Sequence, residues 1–359
     1  MSTSEYNNRA EELKAFDETK AGVKGLVDSG LEKVPRIFLS ASNELENSLP
    51  NPTKYKVPLI DLHGIKDDKN SRERIVEEIK NASETWGFFQ VVNHGVGLNV
   101  LDEMIQGVIR FHEQDAEVRK QYYSRDRMKT VKYSSNFDLY TSKTANWRDT
   151  LTFIMASPEP VDPQELPPTC RDITLEYTKE VTGLGETLFQ LLSEALGLKS
   201  DHLKQLQCDE TCVLISNYYP PCPEPELTLG SSEHTDPAFL TILLQDQIGG
   251  LQVLYQDQWV DIQPIPGAFV INIANILQIV SNDRFKSVQH RVLANHVGPR
   301  VSVACFLNAR GDTKPFGPIK ELVSAETGPI YRDVTMLEYF NRFERQGQQV
   351  KSDMENFKL

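Results

Sequence analysis

Apolar positions in the first half of the chain recur every three or four residues, a spacing that puts them on one face of a helix. The helices predicted in this way span residues 11–29, 71–86, 98–111 and 171–195. Gly30, Gly87 and Gly197 follow three of these helices and favour the left-handed conformation that ends a helix. Asn70 or Ser71 is predicted to cap the second helix. Short apolar runs predict strands at VPLIDL (57–62), FFQVVN (88–93) and TLTFIM (150–155).

From Val213 onward the pattern changes to short apolar strands separated by turns that contain Gly, Pro and Asp. The predicted strands read VLISNYY, LTILLQ, GLQVLY, QWVDI, AFVINI, SVQHRVLA and VSVACFLNA. This rhythm is typical of an antiparallel sandwich or barrel. A last helix is predicted over 334–345, with an apolar face toward the barrel formed by Met336, Leu337, Phe340 and Phe343. The predicted fold class is a mostly β core with surrounding helices.

Four regions are predicted along the chain. Residues 1–165 form a mixed α/β region, and residues 166–210 form a long helix with a connector. The β core spans 211–312, and a helical tail spans 313–359. The segment 157–168 contains five prolines, which exclude a helix interior, so a linker is predicted there.

Composition and charge narrow the possible partners. The chain has 359 residues, of which 39% are hydrophobic, as in an ordinary globular protein. The net charge is −13 and no basic cluster is present, so no nucleic-acid partner is expected. No apolar run reaches the roughly 18 residues of a membrane span, and the charged N-terminus has no apolar signal core. We expect a cytoplasmic monomer, without a membrane partner, that acts on a small molecule.

Most of the potential metal ligands are expected to be structural. The cysteines are scattered, with neither a disulfide framework nor a zinc-binding spacing, so we expect reduced, buried thiols. They are Cys170, Cys208, Cys212, Cys222 and Cys305. Five histidines fall outside any cluster of ligands and are expected to make structural hydrogen bonds. They are His63, His94, His112, His202 and His296.

His234 and Asp236 stand two residues apart, at the mouth of an alternating apolar strand. Side chains at i and i+2 of an extended segment point to the same side, so an imidazole and a carboxylate can converge. Alone, the pair could be an ordinary turn. His290, on a later predicted strand, is the candidate third ligand. Two histidines and one carboxylate form a facial triad that suits Fe(II), although zinc and manganese also accept these ligands.

Arg300 and Ser302 alternate along another strand, on the same face as Ala304 and Phe306. An arginine that faces the interior of a small barrel needs an anion, because burying an unpaired charge is costly. The guanidinium suits a carboxylate, with the Ser302 hydroxyl as a second donor. Tyr219 can bring a phenol to the same carboxylate. A metal with open positions beside such an anion site indicates a chelating keto acid such as 2-oxoglutarate.

These motifs resemble those of the plant 2-oxoglutarate- and Fe(II)-dependent dioxygenases over nearly the whole chain. The segments that carry the resemblance are ELKAFDETKAGVKGLVDSG, WGFFQVVNHG, YSSN…NWRD, NYYPPCP, SEHTDPAFLTILLQDQIGGLQV, FKSVQHRVLAN and GPRVSVACF. The chain is most similar to the deacetoxyvindoline 4-hydroxylase-like branch, also described as 1-aminocyclopropane-1-carboxylate oxidase homologues. The resemblance implies a double-stranded β-helix, or jelly-roll, core. Asn275 stands in IAN where relatives often have Gly-Asp, which we expect to alter local packing and not the triad.

The resemblance also implies roles for individual residues. Three would be the catalytic iron ligands: His234, Asp236 and His290. Four would contact the cosubstrate, mostly at the distal carboxylate of 2-oxoglutarate: Arg300, Ser302, Tyr219 and Asn217. Three are candidate substrate contacts, with barrel packing as the alternative role: Ile215, Phe306 and Phe137.

The activity implied is that of an oxygenase that uses Fe(II), O2 and 2-oxoglutarate, supported by ascorbate, and releases succinate and CO2. Few charges occur among the substrate positions, so we expect hydroxylation of a largely apolar plant metabolite, such as a flavonoid, alkaloid or terpenoid. O-demethylation, desaturation and ring closure are alternative outcomes of the same chemistry. Two other functions stay open: a 1-aminocyclopropane-1-carboxylate oxidase, which uses ascorbate in place of 2-oxoglutarate, and a non-catalytic cupin-like binding protein.

Overall fold

The computed structural model describes residues 3–41, 45, 54–66, 68–156, 159–310, 314–346 and 353–359. Its helices are α1 (Thr3–Thr19), α2 (Gly22–Asp28), α3 (Lys69–Thr85), α4 (Leu98–His112), α5 (Ala116–Lys120), α6 (Arg171–Ala195), α7 (His202–Gln205), α8 (Asn275–Val280) and α9 (Met336–Gln346). Its strands are β1 (Leu59–Asp61), β2 (Phe88–Val92), β3 (Val131–Ser135), β4 (Asp149–Ala156), β5 (Thr211–Tyr219), β6 (Leu229–His234), β7 (Leu240–Gln245), β8 (Leu251–Tyr255), β9 (Gln258–Asp261), β10 (Phe269–Ile273), β11 (His290–Leu293), β12 (Arg300–Asn308), β13 (Pro315–Phe316) and β14 (Val334–Thr335).

The helix predicted over 11–29 is interrupted and forms α1 and α2. Lys20 has a φ of 53° and Gly22 a φ of 69°, which separates the two helices. The Asp149 carboxylate accepts hydrogen bonds of 2.8 Å from the backbone N–H groups of Val23 and Lys24 and so fixes the start of α2. A Cβ at Gly22 would lie 2.4 Å from an oxygen of Asp149, so only glycine fits. A tertiary contact therefore overrides the helical periodicity.

The other predicted helix boundaries are largely confirmed. The three glycines predicted to end helices all have positive φ values. The start of α3 is different, because Asp68 is the N-cap and its carboxylate accepts from the N–H groups of Asn70 and Ser71. Asn70 and Ser71 are both common cap residues, but the observed cap lies two or three residues earlier in the chain. Helices α4 and α6 match their predicted spans.

The C-terminal helix and the predicted linker both need small corrections. In α9, Met336 is buried, but Leu337 is 48% exposed and does not belong to the packed face. Phe340 packs partly against the core, while the side chain of Phe343 lies outside the described residues. The predicted linker 157–168 contains a short 3-10 helix over Pro163–Glu165. Its residues 157 and 158 lie outside the described part of the chain.

An eight-stranded sheet forms the larger half of the core, in the order β1-β2-β10-β7-β12-β5-β4-β3. Strand β3 was not predicted, and β1 is shorter than predicted and leaves Leu59 half exposed at the sheet edge. Strands from the predicted N-terminal region and from the predicted core share this sheet. The four predicted regions are therefore stretches of sequence and do not correspond to separately folded units. Their boundaries stay a prediction.

A four-stranded sheet, in the order β6-β11-β8-β9, completes the jelly-roll core. Side chains of both sheets meet in one apolar cluster, for example Phe88 and Val270 with Val253 and Val292. The opposite face of the large sheet packs on α3, α4 and α6. All five cysteines are buried and free, as predicted. No helix in the described part of the chain has the length and apolar character needed to cross a membrane.

Candidate metal centre

The three predicted metal ligands meet at one end of the small sheet. His234 is the last residue of β6 and His290 is the first residue of β11, and the two are direct partners in the antiparallel ladder. Asp236 lies in the turn that follows His234. The sequence analysis assigned the pair to the start of the next strand, but β7 begins only at Leu240. The pair therefore ends one strand, and the turn brings the carboxylate back over the two imidazoles.

The facing atoms are close enough to share one ion. The Nε2 atoms of His234 and His290 lie 3.6 and 3.5 Å from Oδ1 of Asp236. On the far side of each ring, Nδ1 lies against a backbone carbonyl, at 2.7 Å from Ser232 and 3.3 Å from Val288. A carbonyl accepts hydrogen bonds, so Nδ1 carries the proton and Nε2 keeps its lone pair for a metal.

The second oxygen of Asp236 is held by two side chains that the sequence analysis missed. Thr241 on β7 and Asn272 on β10 each donate a hydrogen bond of 2.6 Å to Oδ2. Thr241 and Asn272 are also partners across the β7–β10 ladder. These bonds leave Oδ1 to face the histidines. The only sequence signal for this arrangement would have been the register of the two strands.

The donor set fits a cation. Three atoms with lone pairs converge with no proton between them, which is repulsive unless a positive ion lies among them. Burial, and then the neighbouring His290, hold the pKa of His234 well below its usual value of 6.5, so its imidazole is neutral. Within the described residues, this is the one group of three or more His, Cys, Asp or Glu side chains with ligand spacing. A two-histidine, one-carboxylate face is the ligand set of non-haem Fe(II) oxygenases.

The histidines predicted to be structural stay outside this cluster. Nε2 of His94 lies 2.8 Å from the carbonyl of Gly267, and Nδ1 of His112 lies 2.9 Å from the carbonyl of Val108. Burial lowers the pKa of His112 to about 3, which keeps its ring neutral beside Tyr218. Both rings therefore serve packing and local hydrogen bonding.

Arg300 is buried at the start of β12, with an exposed fraction of 1%. Its guanidinium donates to the carbonyl of Gly249 at 2.7 Å and to Oε1 of Gln245 at 3.1 Å. A third bond, of 3.2 Å, goes to Oγ of Ser302, and the guanidinium lies 4.9 Å from the ring centre of Tyr219. These bonds use three of its five N–H groups. Among the described residues no carboxylate lies within ion-pair distance of Arg300, and the Asp246 carboxyl interacts with its charge only at longer range, so the guanidinium keeps N–H groups for an anion.

The predicted cosubstrate residues lie side by side on β5 and β12. Arg300 pairs with Tyr219 in the ladder, and Ser302 pairs with Asn217. Directly paired residues have their side chains on the same face of a sheet. Asn217 also accepts a long hydrogen bond, of 3.4 Å, from the hydroxyl of Thr150 on β4. The sheet thus brings all four predicted residues to one face.

The same face continues as a half-buried wall of mostly apolar side chains, formed by Phe306, Val213, Ile154, Ile215 and Thr152. Val213 on β5 pairs with Phe306 on β12 and with Ile154 on β4. Ile215 on β5 pairs with Thr152 on β4. The sequence analysis predicted Ile215 and Phe306 but missed the other three. The opposite face of β4 is fully buried against the helices, so this partial exposure belongs to one side only.

Two predicted positions differ from the rest. Phe137 follows β3 in a turn, is 46% exposed and is not part of the half-buried wall. Asn275 packs beneath the metal centre, with its backbone N–H on the carbonyl of Asp236 at 3.0 Å and its amide on the hydroxyl of Thr235 at 2.9 Å, so this position contacts the backbone of a candidate ligand as well as its local surroundings. A second bond from this amide goes to the hydroxyl of Tyr339, which ties α9 to the site.

Two family models match the chain. The 2OG-Fe(II) oxygenase superfamily matches residues 210–309, which contain the three candidate metal ligands and Arg300. The N-terminal model of the non-haem dioxygenase in morphine synthesis matches residues 57–170.

Similar proteins extend the match over nearly the full chain. The 1-aminocyclopropane-1-carboxylate oxidase homolog 1 of Arabidopsis thaliana is 52% identical over 343 residues, which cover 95% of this chain and 94% of that protein. Deacetoxyvindoline 4-hydroxylase of Catharanthus roseus is 53% identical over 337 residues, which cover 91% and 84% of the two chains.

A solved structure agrees with the fold and with the cofactors. The crystal structure of JOX2 in complex with 2OG, Fe and JA superimposes with a TM-score of 0.84 at 34% identity and covers 94% of this chain and 97% of that one. The predicted jelly-roll fold and the predicted non-haem oxygenase, with Fe(II) and 2-oxoglutarate as cofactor and cosubstrate, are confirmed. The chain belongs to the 2OG-Fe(II) oxygenase superfamily.

Proposed function

We propose that this protein hydroxylates a largely apolar plant specialised metabolite, such as a flavonoid, alkaloid or terpenoid, and releases succinate and CO2. The observation that carries the proposal is a facial set of metal ligands on the same core as a half-buried wall and the buried Arg300, which forms no short ion pair with a described carboxylate. A relative named as a hydroxylase and a neighbour that contains 2OG, Fe and JA support it. The proposal includes a cytoplasmic monomer with neither nucleic-acid nor membrane partners.

The roles of the residues follow from their atoms. Nε2 of His234, Nε2 of His290 and Oδ1 of Asp236 would hold Fe(II), while Nδ1 of each ring stays bonded to the backbone. Arg300 and Ser302 would bind the distal carboxylate of 2-oxoglutarate. Two neighbours complete the proposed cosubstrate contacts, Tyr219 and Asn217.

Bound Fe(II), with 2-oxoglutarate and O2, supplies the oxidation that converts C–H to C–OH, and ascorbate supports it. The protein supplies orientation. Arg300 fixes the far end of the cosubstrate through charge-assisted hydrogen bonds, which sets the direction of its near end. Phe306 and Ile215 exclude water from one side and hold an apolar substrate with one C–H toward the metal. Phe137, at the surface, would act only at the mouth of the site.

The test is a coupled assay on purified protein with Fe(II), 2-oxoglutarate, ascorbate and air. A panel of flavonoids, alkaloids, terpenoids and small amino acids is screened for succinate and for a substrate-dependent gain of one oxygen. We expect succinate and hydroxylated product in equal amounts for an apolar compound, and neither product with His234→Ala. Turnover of small amino acids alone would overturn the substrate class.

The same assay separates the alternatives. Loss of one CH2 from the substrate indicates O-demethylation, and loss of two hydrogens indicates desaturation or ring closure. Substrate loss that needs ascorbate and yields no succinate indicates a 1-aminocyclopropane-1-carboxylate oxidase.

A further inference from the structure

The strand that carries His234 lies at the edge of its sheet. β6 is the first strand in the order β6-β11-β8-β9, so only one of its edges pairs with another strand. The carbonyl of Ser232 on this strand accepts a hydrogen bond of 2.7 Å from Nδ1 of His234. Any shift of the Ser232 carbonyl therefore turns the imidazole of His234 and moves its Nε2 atom. A precise ligand position needs something to hold the second edge of β6.

The segment Asn146-Trp147-Arg148, the start of the NWRD motif, occupies that second edge. Oδ1 of Asn146 accepts two hydrogen bonds from Ser232, at 2.8 Å from its backbone N–H and 2.7 Å from its hydroxyl. The N–H of Trp147 donates to the carbonyl of Leu229 at 2.8 Å. Arg148 donates to the hydroxyl of Ser231 at 3.2 Å. Three consecutive residues thus contact β6 from its start to the residue that orients His234.

Asn146 is itself firmly placed. It has an exposed fraction of 2%, and its backbone N–H and carbonyl both bond the amide side chain of Asn136, at 2.7 and 2.9 Å. Asn136 has a φ of 56°, so the chain turns sharply where this pair closes the intervening loop. The ring of Trp147 is fully buried and packs edge-on against Phe38 at 5.3 Å. The support therefore extends from the metal ligand to the N-terminal helices.

We propose that Asn146 is a positioning residue for the metal centre, which acts through Ser232 to set the direction of the His234 imidazole. The inference rests on the proposed role of His234 as a metal ligand. Asn146 is not one of the three candidate metal ligands. Its amide oxygen holds the N–H and the hydroxyl of Ser232, and the carbonyl of that same residue bonds one ring nitrogen of His234.

The test uses the metal alone. Metal-free wild type, Asn146→Ala and Asn146→Asp are titrated with Co(II), and the dissociation constant and the visible absorption spectrum are recorded with the urea unfolding curve. We expect Asn146→Ala to bind Co(II) about 10- to 100-fold more weakly, the usual effect of losing a partner of a metal ligand, with an altered spectrum. Asn146→Asp keeps an acceptor oxygen for Ser232 and should restore most of the affinity and the wild-type spectrum.

Ser142→Ala is the matched control. Ser142 is buried in the same loop and donates to the Asp138 carboxylate, and among the described residues it forms no hydrogen bond with β6. It should lower stability and leave Co(II) affinity unchanged. Equal losses of affinity in Ser142→Ala and Asn146→Ala, or wild-type binding by Asn146→Ala, would overturn the positioning role.

Two further outcomes are decided in advance. If Asn146→Ala does not fold, Ser232→Ala replaces it, because it removes the hydroxyl bond to Asn146. Wild-type affinity and spectrum in Ser232→Ala would then overturn the inference. If the wild type binds no Co(II), the proposed metal-binding role of His234 fails, and the positioning role fails with it.

Discussion

Asn272 donates a hydrogen bond of 2.6 Å to Oδ2 of Asp236, while the other oxygen of that carboxylate faces the two histidines. Asn272 is buried on β10, and its amide nitrogen bonds the carboxylate oxygen that does not face the imidazoles. Its effect on the centre is therefore orientation of a carboxylate and not coordination.

Replacing Asn272 with Leu should weaken metal binding with little change in side-chain volume. The carboxylate loses one of two donors and can rotate, so we expect about 10- to 100-fold lower affinity for Mn(II) by calorimetry. Thr241→Val removes the other donor and should have a similar effect. The loss of Mn(II) binding free energy in the double variant should be smaller than the sum of the two single losses, because both bonds act on one oxygen. Strictly additive losses would argue against a shared orienting role.

Asp236→Ala should abolish turnover by removing the only carboxylate ligand. Bound iron, measured by metal analysis after gel filtration, should fall together with succinate formation. Adding excess Fe(II) should not restore the activity of this variant. Full activity under that condition would contradict the triad.

Arg300→Leu should act on the cosubstrate. Removing a buried charge that pairs with a carboxylate typically costs at least about 2 kcal/mol, or roughly 30-fold in KM for 2-oxoglutarate. The KM of the prime substrate, measured in the same variant, should change little and serves as the internal control. Equal effects on both constants would refute the assignment of Arg300 to the cosubstrate.

Phe306→Ala should act on the prime substrate. Losing an apolar contact of this size lowers kcat/KM by about 10- to 100-fold, while the KM for 2-oxoglutarate stays near wild type. Because Phe306 is half-buried, its effect on unfolding should be smaller than that of a fully buried phenylalanine. Phe137→Ala, at an exposed position, should have a weaker effect on kcat/KM. A larger loss of kcat/KM in Phe137→Ala than in Phe306→Ala would indicate that the substrate binds at the turn after β3.

Asp149 should make stability depend on pH. Burial raises its pKa to about 6 from the usual 3.8, against the hydrogen bonds that lower it. A carboxyl whose pKa is raised by folding adds stability in acid, and that stability is lost as the pH rises through about 6. The free energy of unfolding of wild type, relative to Asp149→Asn, should fall by on the order of 3 kcal/mol from about pH 4 to pH 7. Urea unfolding curves of both proteins across this pH range measure this change. A difference in unfolding free energy that does not vary with pH would contradict a buried, titrating Asp149.

The sequence predicted those parts of the site in which residue type and short spacing carry the information. His234 and Asp236 are two residues apart, and Arg300 and Ser302 alternate on one strand, so their convergence follows from strand geometry. His290 could be found because a two-ligand site needs a third and few candidates lie on strands. The strands VLISNYY and LTILLQ and the helix over 171–195 had clear periodicity, and all are found.

The parts that the sequence did not predict depend on tertiary register. Thr241 and Asn272 bond Asp236 because β7 and β10 are neighbours with one particular alignment, which local periodicity does not encode. The break between α1 and α2 depends on Asp149, more than a hundred residues away in the chain. The NWRD motif is visible in the sequence, but its contact with β6 joins the segment before β4 to a strand of the other sheet and has no local signature.

The half-buried wall and the metal ligands occupy different sheets, and this separation has an evolutionary consequence. His234 and His290 lie on β6 and β11, whereas Thr152 and Ile154 lie on β4, which carries none of the three ligands. Under the proposed substrate role of this wall, we expect substitutions on β4 to change the shape of the accepted molecule without disturbing the metal centre. On that proposal, new substrates could be acquired by a few changes on one strand while the oxidative chemistry is kept.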